Sequence, residues 1–348
     1  MASRFLLIDG FDTYPDINTT SYGLQGVYVL HDPAGGIGLV AGRFGNQAVQ
    51  FSTYGVNNNI MWAQWTGVST LSIGVAYRVD RFDVGVYSHA IVQFLSGGPS
   101  GTARASICLS SGLQLYVTAG DVNATPVIQD TTILTVGAWH YLELEVVINS
   151  STGRLSFYKD GLQVASSFNG NTGSTAIDTV GIGFPEGNPT LTNIGSYDDM
   201  YVSNISTREG ERRVQTLVPA SDSQKQFTPN SGTTDYTQVR ELPCDGDTTY
   251  VAGATAGLTD LYGITSLSGI PTAISAVQVR SIFRKDDATT RTFSTVLKSN
   301  ATVVNGTTVA AAGSYQHQVD IAQTDPNTSA AWTAAGVNAA LIGQRIVS

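Results

Sequence analysis

Two glutamates, Glu143 and Glu145, have the residue type and spacing that catalysis on a sugar would need. They alternate with apolar residues in the predicted strand from Tyr141 to Ile148, so both carboxylates point to one face with Cα atoms about 6.6 Å apart. Paired carboxylates can act as acid and nucleophile in glycoside hydrolysis. We favour the alternative that they lie on a solvated outer strand face, and we predict that the alternating apolar residues face the core: Leu142, Leu144 and Val146.

An aromatic pair, Trp62 and Trp65, stands among amides in the stretch from Asn57 to Trp65. An exposed aromatic ring can stack on a sugar while neighbouring amides hydrogen-bond its hydroxyl groups. Such a glycan-binding platform would use Trp62, Trp65, Asn58 and Gln64. The same pair could instead pack in a core or a subunit interface, and both interpretations stay open.

Two adjacent aspartates, Asp198 and Asp199, are the candidates for binding a metal ion. Calcium is a hard cation that takes several oxygen ligands, which carboxylates can supply. The alternative is that one carboxylate accepts backbone N–H bonds at the edge of a sheet. We predict no metal and no cofactor, with calcium at these two residues as the alternative.

No other reactive residues form a recognisable pattern. The sequence contains no zinc-binding, serine-hydrolase or phosphate-loop string. The four histidines are far apart along the chain, at His31, His89, His140 and His317. We therefore predict no catalytic residue.

Composition and charge exclude several classes of protein. The chain has 348 residues, of which 42% are hydrophobic and only 13% charged, and its net charge is −9. Only four residues are lysines, so no basic stripe is present to bind nucleic acid or an anionic membrane. The apolar run from Phe5 to Ile8 is too short for a signal peptide, and no run is long enough to span a bilayer. We expect the protein to be made in the cytoplasm of the cell that synthesises it, without a signal peptide.

Short strand signals recur up to about residue 205, separated by turn residues and without a helical period, which is typical of a β-sandwich or barrel. The pattern breaks between Ile205 and Asn230, where charged residues and prolines are concentrated. We therefore predict two domains, 1–212 and 213–348, the second smaller and β-rich with one short helix near 330–340. Its predicted strands are Tyr236–Leu242, Ala276–Phe283, Arg291–Lys298, Tyr315–Ile321 and Leu341–Val347.

Five stretches in order resemble the concanavalin A-like lectin fold in its laminin-G-like form: Gly42–Phe51, Thr70–Val79, Gly137–Tyr141, Phe157–Leu162 and Ile194–Val202. The resemblance implies an all-β jelly-roll sandwich over about residues 40–205. It does not fix a function, because this fold serves lectins, glycosidases and assembly modules. Related glucanases place three acids along one strand as E-x-D-x-E or E-x-D-x-x-E. Around Glu143 and Glu145 the central Asp and the third acid are absent, so we expect that the chain is not an enzyme.

The whole chain also resembles structural proteins of tailed-phage particles, through Asp9–Tyr14 before the sandwich and Trp332–Ala340 near its C-terminal end. This resemblance implies a bacteriophage virion component (tail, neck, fibre or capsid decoration) that acts by binding other virion proteins. Because lysine usually guards exposed strand edges and is scarce here, we also expect a homo-oligomer held mainly by residues 213–348, a trimer by analogy with phage fibres. The alternative function is a glycan-binding module for host surface recognition.

Overall fold

A computed structural model describes residues 4–17, 22–33, 35–53, 59–83, 88–185 and 192–348. The chain forms two compact units. The sandwich unit contains Arg4–Phe11 and Tyr28–Val214, whereas the C-terminal unit contains Asp12–Val27 and Gln215–Ser348. These units differ from the predicted domains in the placement of residues 12–27 and 213–214. Within the C-terminal unit, Thr216 donates a hydrogen bond to Asp12 and Arg280 donates one to Thr13, both at 2.7 Å, and no local sequence pattern predicts such distant contacts.

The sandwich unit is built from short antiparallel strands joined by turns. In chain order its strands are β1 (Phe5–Asp9), β2 (Val29–His31), β3 (Ile37–Ala41), β4 (Gln47–Ser52), β5 (Asn59–Val68), β6 (Thr70–Phe82), β7 (His89–Ser96), β8 (Thr102–Leu109), β9 (Gln114–Thr118), β10 (Pro126–Ile133), β11 (Trp139–Val147), β12 (Gly153–Lys159), β13 (Leu162–Gln163), β14 (Phe168–Gly170), β15 (Ile177–Phe184) and β16 (Asn193–Ser203).

These strands form two sheets. The nine-stranded sheet has the order β13-β12-β11-β6-β16-β4-β3, with β1 beside β16 and β14 beside β12. The seven-stranded sheet has the order β10-β9-β8-β7-β15-β5-β2. The predicted all-β jelly-roll sandwich is confirmed.

Strand β11 shows why the core lies between the sheets. Its alternate residues Leu142, Leu144 and Val146 are fully buried and pair with three apolar residues of β6, namely Val75, Ile73 and Leu71. Burying one such side chain contributes about 2 kcal/mol. The predicted orientation of these residues is confirmed.

The outer face of the nine-stranded sheet is covered by the chain itself. Residues 204–214, which we call the covering segment, follow β16 and bond to the strands beneath them. The hydroxyl of Ser72 donates to the carbonyl of Thr207 at 3.1 Å, and the N–H of Val214 donates to the carboxylate of Asp199 at 2.7 Å. This face of the sandwich is therefore closed to solvent along the covering segment.

The C-terminal unit is also β-rich. Its strands are β17 (Pro219–Gln224), β18 (Thr228–Pro229), β19 (Val251–Ala252), β20 (Thr259–Ile264), β21 (Val277–Phe283), β22 (Thr292–Ser299), β23 (Thr302–Asn305), β24 (Val309–Ala310), β25 (Gln316–Ala322) and β26 (Leu341–Ile346). The largest sheet has the order β17-β20-β26-β22-β23, with β24 beside β22.

Helix α1 (Ala334–Ala339) lies in the stretch where a helix was predicted, and Thr333 caps it by accepting the N–H of Gly336 at 2.9 Å. None of the helices in the described ranges is long and apolar enough to cross a membrane. The strand predicted at Tyr236–Leu242 is wrong, because residues 236–238 form a 3-10 turn. There the carboxylate of Asp222 accepts the N–H of Tyr236 at 2.7 Å and bends the chain.

Candidate functional site

The structure brings together part of the predicted aromatic platform. Trp62 and Gln64 lie on β5 two residues apart, so their side chains share one face, and the intervening Ala63 is buried on the other. The indole N–H of Trp65 donates to the backbone carbonyl of Ile177 at 3.2 Å. The one polar atom of the Trp65 side chain is therefore already bonded inside the sheet. Asn58 lies outside the described residues.

A single cross-strand row places Trp62 beside residues that the sequence analysis did not select. Gly181 of β15 is directly opposite Trp62 on one side and Gln93 of β7 on the other. Ser106 of β8 and Thr118 of β9 continue the row. Residues directly opposite one another share a face, so these five residues lie in one row on the outer face of the seven-stranded sheet, with four side chains and the bare backbone of Gly181. We call them the outer row.

The indole ring of Trp62 lies over Gly181. A Cβ atom at Gly181 would be 2.9 Å from both Cδ1 and Nε1 of Trp62, closer than real contacts allow. The ring is half-buried, and within the described ranges no group accepts a hydrogen bond from its N–H. The absence of a side chain at Gly181 therefore lets an aromatic ring lie across the floor of the outer row.

The amide of Gln93 is the most unusual polar group of the outer row. Gln93 is only 8% exposed. Nevertheless, its side chain forms no hydrogen bond with any other residue that the structure describes. Neither polar atom of this amide is fully enclosed by the protein, so the amide can bond to water or to a ligand on the outer face. A bound polar molecule would satisfy both the donor and the acceptor of this amide.

The far end of the outer row has its polar groups satisfied internally. The hydroxyl of Ser106 donates to the carbonyl of Gly120 at 2.7 Å, and that of Thr118 donates to the same carbonyl at 3.0 Å. Beside them, Val122 packs on the buried side chains of Ala90, Cys108 and Tyr116. The loop after β9 thus closes this end, and the half of the row with free hydrogen-bonding capacity is the half that holds Trp62 and Gln93.

Glu143 and Glu145 are placed on the outer face of their sheet, as predicted, but the prediction that this face is solvated is wrong. Glu143 is fully buried and Glu145 nearly so. Arg208 of the covering segment donates from its guanidinium to Glu143 at 2.7 Å and from its backbone N–H to Glu145 at 3.0 Å. The covering segment therefore converts an acidic surface into a buried ion-paired network.

Asp198 and Asp199 accept hydrogen bonds from the backbone. Asp198 accepts the N–H of Arg43 at 2.7 Å and Asp199 accepts that of Val214 at the same distance. The guanidinium of Arg43 lies 3.5 Å from the other oxygen of Asp199. Burial, opposed by the Val214 hydrogen bond and by Arg43, raises the pKa of Asp199 to about 6. A guanidinium already faces this carboxylate, so the residues present do not fit a calcium ion, and no group of three potential ligands in the described residues is arranged to hold a metal.

The two antiparallel sheets and their strand order define a jelly-roll-like β-sandwich, consistent with the predicted concanavalin A-like fold. Solved structures similar to this chain include the cellulose induced protein Cip1, with a TM-score of 0.42 and 11% identity over 54% of this chain and 95% of that one. Another is the alginate lyase AlgAT5 of polysaccharide lyase family 7, with a TM-score of 0.39 and 11% identity over 51% of this chain and 94% of that one. A third is the sialidase of Trypanosoma rangeli, with a TM-score of 0.35 and 17% identity over 52% of this chain and 30% of that one. No family model and no curated protein sequence matches the chain.

These similarities require one correction. The prediction that the chain is not an enzyme is wrong as an exclusion, because structures of similar fold include sialidases and alginate lyases. The missing acids around Glu143 exclude one catalytic pattern and leave the other chemistries of this fold open. At these identities the similarity concerns the fold alone and assigns no reaction to this chain.

One feature of the sequence points to the outer row, namely the single amide in strand β7, and it was not among the predicted site residues. Gln93 is the only amide in β7, an eight-residue strand that is otherwise mostly apolar and is buried throughout. An amide in such a strand either pairs inside the protein or faces a ligand. Its position opposite Gly181, and through Gly181 in one row with Trp62, depends on the order of the strands in the sheet, and a local sequence pattern carries no information about that order.

Proposed function

We propose that the sandwich unit binds a glycan on the outer row of its seven-stranded sheet. The observation that supports this most directly is the amide of Gln93, which reaches the outer face, has no hydrogen-bond partner in the described part of the chain and lies in one row with the half-buried ring of Trp62. Trp62 and Gln93 are two strands apart, about 10 Å between their Cα atoms. Gly181 lies between them beneath the indole ring, so a ligand would contact the other side of that ring and the amide of Gln93.

The chemistry of the outer row suits a sugar better than a purely apolar ligand. A sugar ring has an apolar face that can stack on the indole of Trp62, and its hydroxyl groups both donate and accept hydrogen bonds. The amide of Gln93, and that of the exposed Gln64 on the same face, offer complementary donors and acceptors. Ligand sites commonly combine an aromatic surface with a few such polar groups.

A glycan array followed by calorimetry tests this function. We expect the full chain to bind a defined oligosaccharide, and Trp62→Ala and Gln93→Leu to weaken that binding at least tenfold. The matched controls Trp139→Phe and Gln163→Leu change the same residue types in the other sheet and should leave the affinity unchanged. Equal effects of the site variants and the controls, or no binding to any oligosaccharide, would overturn the proposal.

A second candidate function is that of a structural component of a tailed-phage particle, which rests on the sequence resemblance. The structural observation in its favour is strand β23 at the edge of the largest sheet in the C-terminal unit. Its adjacent residues Val303 and Val304 are 52% and 43% exposed, and the strand contains no lysine. An exposed apolar edge strand can pair with another chain.

Light scattering tests this second function. We expect the full chain to form a homo-oligomer, a trimer by analogy with phage fibres, and Val303→Lys with Val304→Lys to shift it towards monomer. The control is Leu162→Lys, which changes a well-exposed apolar residue on the sandwich unit. A monomeric wild-type protein that binds no virion component would count against the assembly role and leave glycan binding untouched.

A further inference from the structure

We infer that the glycan bound by the outer row is uncharged; this inference rests on the glycan-binding function proposed above. The seven strands of the sheet that carries the outer row contain only three charged residues, Arg104, Asp130 and Asp178. Strand β6 of the other sheet alone contains as many. Because charged residues are mostly found at protein surfaces, their scarcity in a sheet with an accessible outer face calls for an explanation.

The two aspartates of this sheet are bonded to groups outside the outer row. The carboxylate of Asp130 accepts from the ammonium group of Lys159, which belongs to the other sheet. The carboxylate of Asp178 accepts the N–H groups of Gly97 and Gly98 at 2.9 and 3.1 Å and so stabilises the turn after β7. Neither carboxylate forms a hydrogen bond with Trp62 or with an amide of the outer face.

The one arginine of this sheet also has its described contacts elsewhere. The Nε atom of Arg104 donates to the hydroxyl of Ser96 at 3.1 Å. Its Cδ and Nη1 lie against Gly173, where a Cβ atom would come within 3.2 and 3.1 Å of them. Neither Ser96 nor Gly173 is part of the outer row. The described part of the chain therefore supplies no cation that bonds to Trp62 or Gln93.

The groups that do meet a ligand at the Trp62 end of the outer row are uncharged. Val29 of the edge strand β2 is directly opposite Trp62, on the side away from Gly181, and is 45% exposed. The indole N–H of Trp62 has no acceptor within the described ranges. The amide of Gln93 reaches the same face, and so does that of the exposed Gln64. A ligand here meets an apolar side chain, an aromatic ring and neutral hydrogen-bonding groups.

This chemistry favours a neutral sugar over an acidic one. A carboxylate or sulfate that moves from water onto this face loses hydration, and the described residues offer no cation there to compensate for the loss. The net charge of −9 adds a general repulsion of anions. The hydroxyl groups of a sugar, in contrast, pair with the donor and the acceptor of an amide without desolvation of a charge. The class of ligand is therefore a neutral oligosaccharide.

The experiment measures the affinity of the full chain for oligouronates and sialylated glycans, for the carboxyl-reduced counterpart of each, and for neutral gluco-, manno-, galacto- and xylo-oligosaccharides. The measurements are made at about pH 8, at which free imidazole is uncharged, because the ring centroid of His31 lies 6.4 Å from that of Trp62. We expect the uncharged member of each pair to bind at least tenfold more tightly, at low and at high salt. Salt screens the repulsion by the net charge but does not restore lost hydration.

A gained charge tests the position of the ligand. Val29→Lys places a cation beside Trp62 on a strand edge that tolerates lysine, and we expect it to raise the affinity for an acidic probe about threefold at low salt. The matched control is Leu162→Lys, which introduces the same charge at an exposed apolar residue of an edge strand in the other sheet and should not raise this affinity. Equal effects of the two variants would contradict the placement of the glycan beside Trp62.

The outcomes separate this inference from the function on which it rests. Acidic probes that bind as tightly as their reduced counterparts, with a binding that Trp62→Ala weakens, overturn the neutral ligand and leave glycan binding by the outer row intact. A preference for the reduced probes that disappears at high salt comes from the net charge of the chain and also overturns this inference. Failure of every probe to bind, the neutral oligosaccharides included, overturns the proposed function and this inference together.

Discussion

The hydroxyl of Tyr201 donates a hydrogen bond to the carboxylate of Glu143 across 2.8 Å, with both side chains buried beneath the covering segment. The other oxygen of Glu143 accepts from Arg208. The Tyr201 oxygen in turn accepts the backbone N–H of Glu209 at 2.8 Å. Both carboxylate oxygens of Glu143 and the hydroxyl of Tyr201 therefore have partners, which is the condition under which buried charges are tolerated.

The first prediction concerns this network. Glu143→Gln removes the charge that pairs with Arg208 and leaves the guanidinium of this covering-segment residue without its charged partner. We expect the free energy of unfolding to fall by about 2–3 kcal/mol, somewhat less than for a fully buried pair because Arg208 is half-exposed. Urea unfolding measures the change. Glu211→Gln, which breaks the more exposed pair with Arg43, should cost less than about 1 kcal/mol, and an equal loss in both variants would contradict the interpretation.

The sequence predicts the inward face of β11 correctly but not the environment of its outward face. Alternation alone places Leu142, Leu144 and Val146 on one side. The burial of Glu143 depends on Tyr201 and Arg208, which lie 58 and 65 residues further along the chain. A period-2 pattern reports which residues share a face and carries no information about a segment that later covers that face.

The same limit applies to the candidate binding site. Trp62 and Gln64 are recognisable because aromatic and amide residues stand close together in the sequence. Gln93 reaches the same face from another strand, and its relation to Trp62 follows from the strand order of the seven-stranded sheet.

The second prediction separates the role of Gln93 in binding from any role in folding. Gln93→Leu replaces an amide that has no hydrogen-bond partner in the described residues with an apolar group of similar size. The free energy of unfolding should stay nearly the same, because the substitution removes no hydrogen bond within the described residues. Urea unfolding in the absence of glycan is the measurement. A loss of more than about 2 kcal/mol would show that the amide supports the fold instead.

The third prediction tests the contact between Gly181 and the ring of Trp62. The methyl group of Gly181→Ala would overlap the indole, so we expect the ring to move, the near-ultraviolet circular dichroism to change and the glycan affinity to drop at least tenfold. Overpacking of this kind costs about 1–3 kcal/mol. Gly38→Ala is the control, because a Cβ there meets nothing within 4 Å. Unchanged affinity in Gly181→Ala would mean that the ligand does not use this ring.

The fourth prediction is a pH dependence that arises from Asp199. Its pKa of about 6 in the folded protein is above the ordinary value of 3.8, so the folded state binds the proton more tightly than the unfolded state does. The contribution of Asp199 to stability should therefore fall as the pH rises from about 4 to about 6, by about 3 kcal/mol in all.

The comparison variant for this prediction is Asp199→Asn. Asparagine tolerates the φ of +49° at this position, and its amide oxygen can still accept the N–H of Val214. We expect the difference in unfolding free energy between the wild type and Asp199→Asn to change across this pH range, whereas other carboxyl groups affect both proteins alike. Parallel stability curves from pH 4 to pH 7 would show that Asp199 does not titrate in this range.

The covering segment also bears on how this molecule can be diversified. Because residues 204–214 occupy the broad surface of the nine-stranded sheet, Glu143, Tyr201 and Arg208 can change only together. Trp62, Gln64 and Gln93 are not tied to that network, so each can be exchanged on its own. A library confined to these three positions would sample new recognition properties on an unchanged scaffold.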